Sequence, residues 1–195
     1  MKTPTIVAGA AAAALLIGLT AMTLAGGFTH DGVLEGVRLT ARWSFAWFIA
    51  AWSASSLARL WPGGWRGQLL RRRRAVGLGF AFSHFVHAGF FLVAIAMFGA
   101  KVPPPILIGG GLGYAVIVAM AATSNNASMK ALGRGWKVLH SFGGAYLLLI
   151  FFVSYLGRLM NGKPLVGAYG VALIAAAITL RVAAFAKERA ELQAA

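Results

Sequence analysis

The chain has 195 residues, of which 59% are hydrophobic and 11% charged, with a formal net charge of +14. Soluble domains carry roughly 25% charged residues, so a water-soluble globule could not hide this apolar surface, and the sequence indicates an integral membrane protein. The absence of cysteine excludes disulfides, thiolate zinc sites, iron–sulfur clusters and cysteine nucleophiles. The basic charge favours membrane orientation and contact with anionic lipid head groups over nucleic acid binding.

Six apolar runs of membrane length follow one another along the chain. They predict an all-α, polytopic membrane protein, in which a single transmembrane domain covering residues 1–195 forms a six-helix bundle. The predicted spans are residues 5–25, 39–61, 75–99, 106–123, 136–160 and 164–186. The first run has the shape of a secretory signal, but about 20 apolar residues suffice to cross a bilayer, so we expect it to be a retained helix.

Turn-forming and polar segments separate these runs. Residues 62–64 (Pro-Gly-Gly) end the second run, and residues 103–105 (three prolines) precede the fourth. The polar segment 124–134 predicts an N-cap and a short interfacial helix before the fifth run. Lys and Arg residues favour the side of the termini and of the loops after the second and fourth runs by thirteen to five. This asymmetry predicts that both termini are cytoplasmic.

Three histidines lie inside predicted spans, His84 and His87 in the third and His140 in the fifth. An ionisable side chain buried without a partner in a bilayer costs several kcal/mol, so each needs a partner. The two helices run parallel by the predicted topology and can present histidines to each other. A pair of neutral imidazoles is a normal axial ligand set for haem iron and suits electron transfer. The alternative is that the histidines hydrogen-bond to serine or to backbone carbonyls between helices.

Other residues could complete such a site. Gly143 and Gly144 lie one turn beyond His140, where missing side chains would leave room for a flat macrocycle, although glycine is common in membrane helices. The guanidinium of Arg42 suits a bidentate contact with a haem propionate, or else reaches lipid head groups. The number of residues between each histidine and the basic residues before its span places His87 deeper in the membrane than His140. This difference in depth would shrink if segment 127–136 continued straight into the fifth helix, or if that helix started deeper in the membrane.

Two segments of the sequence carry a family resemblance. One is Arg73-Arg74-Ala75-Val76-Gly77-Leu78 followed by His87, and the other runs from Thr123-Ser124 through Leu132-Gly133 and Trp136 to Leu139-His140. A weaker match covers residues 39–43 and 56–59. Over about residues 38–160 the chain resembles the ferric-reductase-like transmembrane family, and within it the haem-binding membrane subunits of bacterial methionine-sulfoxide reductase systems.

The resemblance implies that His87 and His140 are the axial, metal-binding ligands of one haem b. His84 has no counterpart in the family and is a further candidate for cofactor binding. The positions of the second ligand pair of bis-haem members hold Lys101 and Val153, so the second haem is expected to be absent.

The protein implied by the resemblance is a multi-pass electron-transfer subunit in the bacterial cytoplasmic membrane, and at most one subunit of an oxidoreductase. It would take electrons from quinol or flavin, which makes quinone and FMN candidate cofactors, and pass them to protein partners in a membrane or periplasmic redox complex. The alternative is a haem-free structural or assembly subunit of a larger membrane complex.

Overall fold

A computed structural model describes residues 2–194, and within this range every regular element is an α-helix. The eight helices are α1 (Thr3–Leu24), α2 (His30–Leu60), α3 (Gly64–Arg71), α4 (Arg73–Phe98), α5 (Pro104–Ala122), α6 (Asn126–Leu132), α7 (Arg134–Met160) and α8 (Pro164–Ala194). By length and composition α1, α4, α5, α7 and α8 can cross a membrane. The all-helical, multi-pass prediction is confirmed, whereas the sixth span and the cytoplasmic termini stay predictions.

Helix α2 differs most from its predicted span. It begins at His30 rather than near residue 39. Two glycines with positive φ, Gly26 at 100° and Gly27 at 77°, reverse the chain after α1. Asp31 then stands in the first helical turn, where a carboxylate interacts favourably with the helix dipole. Residues 30–38, which lie outside the predicted spans, are therefore helical, and α2 gains charged residues that lower its hydropathy.

Three further differences concern the connections. The short helix α3 occupies the basic segment that was predicted to be a loop. Helix α8 continues to Ala194, past the predicted end at residue 186. The predicted interfacial helix is formed as α6, capped by the Asn125 side chain, which accepts a hydrogen bond from the Ser128 N–H at 2.8 Å. Gly133, with φ of 49°, separates α6 from α7, so α6 does not continue straight into α7.

The described chain packs into two compact units. Unit 1 contains the residues up to Phe48 together with Arg74–Leu112, and unit 2 contains Ile49–Arg73 together with the residues from Gly113 onward. The single domain predicted for residues 1–195 stays a prediction, and its terminal residues Met1 and Ala195 lie outside the described range.

Close helix packing in unit 1 depends on small residues. A Cβ atom added to Gly79 of α4 would lie 2.8 Å from a ring carbon of Trp47 and 3.2 Å from the Ala10 Cβ. A Cβ on Gly18 of α1 would lie 2.8 Å from the Thr40 Cγ2. Helices α1, α2 and α4 thus approach one another where side chains are missing, as is common in membrane helices. This packing fixes the faces of α2 and α4 that carry the histidines and their partners.

In unit 2, helices α7 and α8 pack against each other. Gly170 of α8 accommodates the buried ring of Tyr155, and Gly167 accommodates the backbone of Leu159. A side chain at either glycine would overlap these atoms. The contact therefore brings two backbones together through glycine, as at the interface in unit 1.

Candidate functional site

His84 and His87 lie on one face of α4, against α2 of the same unit. They are three residues apart and hence neighbours on the helix, with ring centroids 4.9 Å apart. The Nδ1 of His84 lies 2.8 Å from the Ser44 Oγ. The Nδ1 of His87 lies 3.0 Å from the Val37 carbonyl oxygen and 3.3 Å from the Thr40 Oγ1. The structure therefore places both histidine rings of α4 against the same face of α2.

These hydrogen bonds determine which nitrogen of each neutral ring carries the proton. A carbonyl oxygen can only accept, so the Nδ1 of His87 donates to Val37. The Ser44 hydroxyl donates to the Ala41 carbonyl at 2.9 Å, so it accepts from the Nδ1 of His84. Each ring then has its lone pair on Nε2. A histidine whose Nδ1–H is held by a backbone or side-chain oxygen is the usual form of a metal ligand.

His140 is held differently, near the start of α7 in unit 2. Its Nε2 lies 3.2 Å from the Thr123 Oγ1, and this hydroxyl donates to the Ala119 carbonyl at 2.7 Å. The Thr123 oxygen therefore accepts from the His140 Nε2–H. The ring of Trp136 stacks on the imidazole at a centroid distance of 4.1 Å, while its Nε1 donates to the Thr123 carbonyl at 2.9 Å. The lone pair of His140 is consequently on Nδ1 in this arrangement.

The predicted glycines Gly143 and Gly144 face side chains of unit 2. A Cβ on Gly143 would lie 2.7 Å from the Met120 sulfur and 2.9 Å from the Val116 Cγ1. A Cβ on Gly144 would lie 2.9 Å from a ring carbon of Trp52. Both glycines are buried. Because they lack side chains, the neighbouring side chains pack directly against the backbone of α7. A macrocycle bound there would have to displace the flexible side chain of Met120.

Arg42 is the remaining predicted site residue. It is half-buried on α2, and its Nε is buried without a hydrogen-bond partner in the described structure. A buried donor left unpaired costs about 1–3 kcal/mol, so this position favours an acceptor from outside the chain, such as a carboxylate. Arg42 follows Thr40 by two residues and therefore points to a different face of α2 from the histidine partners.

The donor set itself indicates which metal group could fit. Among residues 2–194, no three or more His, Cys, Asp or Glu side chains come together in a way that could hold a metal ion. A bare ion such as zinc needs about four protein or water ligands. A porphyrin supplies four nitrogens of its own and needs only axial ligands. Histidines that come in no group of three, each with a lone pair on one nitrogen, therefore fit haem better than a bare metal ion.

The sequence interpretation missed the residues that hold the histidines. Thr40 and Ser44 are fully buried and lie one turn apart on α2. Their hydroxyl groups at i and i+4 in an apolar segment were a signal for polar partners on a neighbouring helix. Trp136 and His140 have the same i, i+4 spacing, which predicts that the rings can stack. Neither spacing predicts which residue of a neighbouring helix is contacted, because that depends on how the helices pack.

Comparison with known proteins finds relatives, three of which carry the same name. No family model matches the chain. The "Protein-methionine-sulfoxide reductase heme-binding subunit MsrQ" of Klebsiella pneumoniae subsp. pneumoniae is 29% identical over 151 residues, which are 72% of each chain. The subunit of the same name from K. pneumoniae strain 342 is 28% identical over 151 residues, 72% of this chain and 73% of the relative. That of Cronobacter sakazakii is 28% identical over 159 residues, 76% of this chain and 77% of the relative.

No solved structure matches the chain. The predicted resemblance to haem-binding subunits of methionine-sulfoxide reductase systems is confirmed by these relatives.

Proposed function

We propose that this protein is the haem-carrying electron-transfer subunit of a redox complex in a bacterial cytoplasmic membrane, with one haem b ligated by His87 and His140. The similarity to subunits whose name describes them as haem-binding supports the proposal. The observation that carries it is the anchoring of His87. Its Nδ1–H donates to the Val37 carbonyl, so the ring keeps its lone pair on Nε2. When bound, haem b supplies reversible one-electron storage, and a bis-histidine set leaves no open position on the iron.

The protein's own residues orient and shield the proposed ligand. The Val37 carbonyl and the Thr40 hydroxyl fix the ring of His87 and raise the basicity of Nε2, as second partners of metal-bound histidines do. The ring of Phe91 stacks beside His87, with centroids 6.3 Å apart. On the other helix, Thr123 holds the Nε2 of His140, so ligation through Nε2 requires the ring to leave this hydroxyl, whereas ligation through Nδ1 does not.

The other candidates take supporting roles in the proposal. We assign His84 to the surroundings of the cofactor rather than to the iron, because it shares one face of α4 with His87, which would hold the haem. Gly143 and Gly144 would line the site on α7. Arg42 would donate to a haem propionate that extends past the histidine face of α2, since its buried Nε lacks an acceptor.

Electrons would enter from quinol or from a flavin such as FMN and leave to a protein partner. Helices α1–α8 account for nearly all of residues 2–194, so the described chain has no separate domain for a flavin or nicotinamide donor. Because the relatives are subunits of a protein-methionine-sulfoxide reductase, we propose the reductase subunit of such a system as the acceptor.

The visible spectrum of the purified protein tests this function. We expect a Soret band that shifts on reduction with dithionite. His87→Ala and His140→Ala should each abolish the reducible bis-histidine spectrum, whereas His84→Ala, the matched control one turn away, should retain it. A folded, haem-supplemented wild-type protein without a Soret band would overturn the proposal. Loss of the band in His84→Ala, with retention in His87→Ala, would overturn the ligand assignment.

A haem-free structural subunit is the second candidate, and one observation favours it. Each of the three histidines already has an oxygen partner within the protein: His84 with Ser44, His87 with Val37, and His140 with Thr123. The fold therefore does not need a metal to satisfy them. Under this reading, protein produced without haem should unfold at the same temperature as protein supplied with it. A clear stabilisation by haem would exclude this candidate, because a ligand that binds only the folded state raises its stability.

A further inference from the structure

Two arginines converge on consecutive residues of α2 in unit 2. The Nε of Arg73 donates a hydrogen bond to the Ala51 carbonyl at 3.1 Å. The guanidinium carbon of Arg181 lies 4.5 Å from the centroid of the Trp52 ring, a cation–π contact. Both partners are neutral, so they position the two side chains without neutralising them.

No carboxylate of the described chain pairs with these arginines. The protein has four acidic residues in total. All four have other partners: Asp31 pairs with His30, Glu35 with Arg38, Glu188 with Arg59, and Glu191 with Arg59 and Lys187. Two fixed positive charges without a counter-charge among residues 2–194 favour an anion from outside. The planar fork of arginine matches the geometry of phosphate oxygens.

The surroundings indicate that this anion is part of a lipid. Arg73 is the first residue of α4, a helix that can span the membrane, and so lies where a span begins. On α8, Arg181 shares one face with Ile178, Val182 and Phe185, which are 46%, 63% and 54% exposed. Apolar surface of this kind on a spanning helix faces acyl chains. A phospholipid could place its phosphate against the two guanidinium groups and its acyl chain against the exposed apolar face of α8.

We propose that Arg73 and Arg181 form a binding site for the head-group phosphate of an anionic phospholipid, whose acyl chain lies along Ile178, Val182 and Phe185. Trp52 holds Arg181 in place through its ring face. None of the residues of this site is a proposed iron ligand.

Lipid retention by the full-length protein tests the proposal. The wild-type protein is equilibrated in mixed micelles with equal amounts of phosphatidylglycerol and phosphatidylcholine, and bound lipid is measured by native mass spectrometry. We expect preferential retention of phosphatidylglycerol. Arg73→Gln and Arg181→Gln should each weaken it about fivefold, the effect of roughly 1 kcal/mol per basic residue at an anionic surface. Arg181→Lys, which keeps the charge but loses the planar fork, should fall between wild type and Arg181→Gln.

A matched control and a soluble competitor make the result decisive. Arg158 also lies over an aromatic ring, that of Tyr155 at 5.9 Å, so Arg158→Gln should leave retention unchanged. Unchanged helical circular dichroism and elution volume show that each variant is folded. Equal retention of both lipids, or a double Arg73→Gln/Arg181→Gln variant that retains phosphatidylglycerol as the wild type does, refutes the site. Displacement of the lipid by glycerol 3-phosphate would show that the site takes soluble phosphate and would overturn the lipid assignment.

Discussion

Replacing Gly79 with alanine is expected to loosen α4, the helix that carries His84 and His87. The added methyl group would lie 2.8 and 2.9 Å from two ring carbons of Trp47 and 3.2 Å from the Ala10 Cβ. None of these atoms is the end of a flexible chain, so backbones must separate or the indole must leave its rotamer. Overpacking of this kind costs about 1–3 kcal/mol.

Gly77→Ala provides the matched control on the same helix. Nothing lies within 4 Å of a Cβ at Gly77, so this methyl group meets no neighbour. Alanine favours the helix over glycine by up to about 1 kcal/mol in water. Gly79→Ala gains the same helix propensity, so the two variants should differ by the overpacking cost alone, about 1–3 kcal/mol in the free energy of unfolding, with Gly79→Ala the less stable.

The difference can be measured by titrating the purified protein from mild detergent into sodium dodecyl sulfate and following helical circular dichroism. Adding Trp47→Leu to Gly79→Ala should recover part of the loss, and the coupling energy follows from the double-mutant cycle. Equal transition midpoints for Gly77→Ala and Gly79→Ala, or no coupling with Trp47→Leu, would refute the packing of α4 described above.

Three further predictions follow from single contacts. Thr123→Val removes the oxygen that holds the His140 Nε2 and should destabilise the protein by about 1 kcal/mol. It should also alter the electron paramagnetic resonance spectrum of the ferric protein; an unchanged spectrum would show that Thr123 does not hold the His140 ring in the haem-bound state. Asn125→Ala removes the N-cap of α6 and should lower the stability of this helix by about 0.5–2 kcal/mol. Amide hydrogen exchange should become faster in residues 126–132 alone, and an equal change along the whole chain would contradict this. Arg42→Gln should lower the haem midpoint potential if the guanidinium faces a propionate, because a lost positive charge disfavours the added electron; an unshifted potential would exclude that contact.

The apolar runs predicted most of the helices because a bilayer requires about 20 consecutive apolar residues, and this signal is local to each segment. It worked for α1, where no charged residue interrupts the run. It placed the start of α2 too late, because residues 30–38 include four ionisable side chains, and their helicity depends on local capping and dipole effects that hydropathy does not measure. In the extension of α8 to Ala194, Glu188 and Glu191 form ion pairs with Arg59, which is far away in the sequence.

The histidines could be found from the sequence, since an ionisable residue in an apolar run stands out. Their partners could not. Ser44 and Thr40 meet His84 and His87 only because α2 and α4 pack with one particular rotation about their axes. The role of Gly143 could not be predicted either. The sequence does not distinguish a glycine that leaves space for a ligand from one against which a side chain such as Met120 packs.

The break at Gly133 has a mechanical consequence for the loop between α5 and α7. Helix α6 is attached at one end by the Asn125 cap and at the other by a single glycine with positive φ. The first turn of α7 is fastened independently, through the hydrogen bond from Trp136 to the Thr123 carbonyl. A protein or membrane surface that pulls on α6 can therefore rotate it about Gly133 while Trp136 keeps His140 in place. Such a loop would let α6 move while the half-buried imidazole of His140 stays in place.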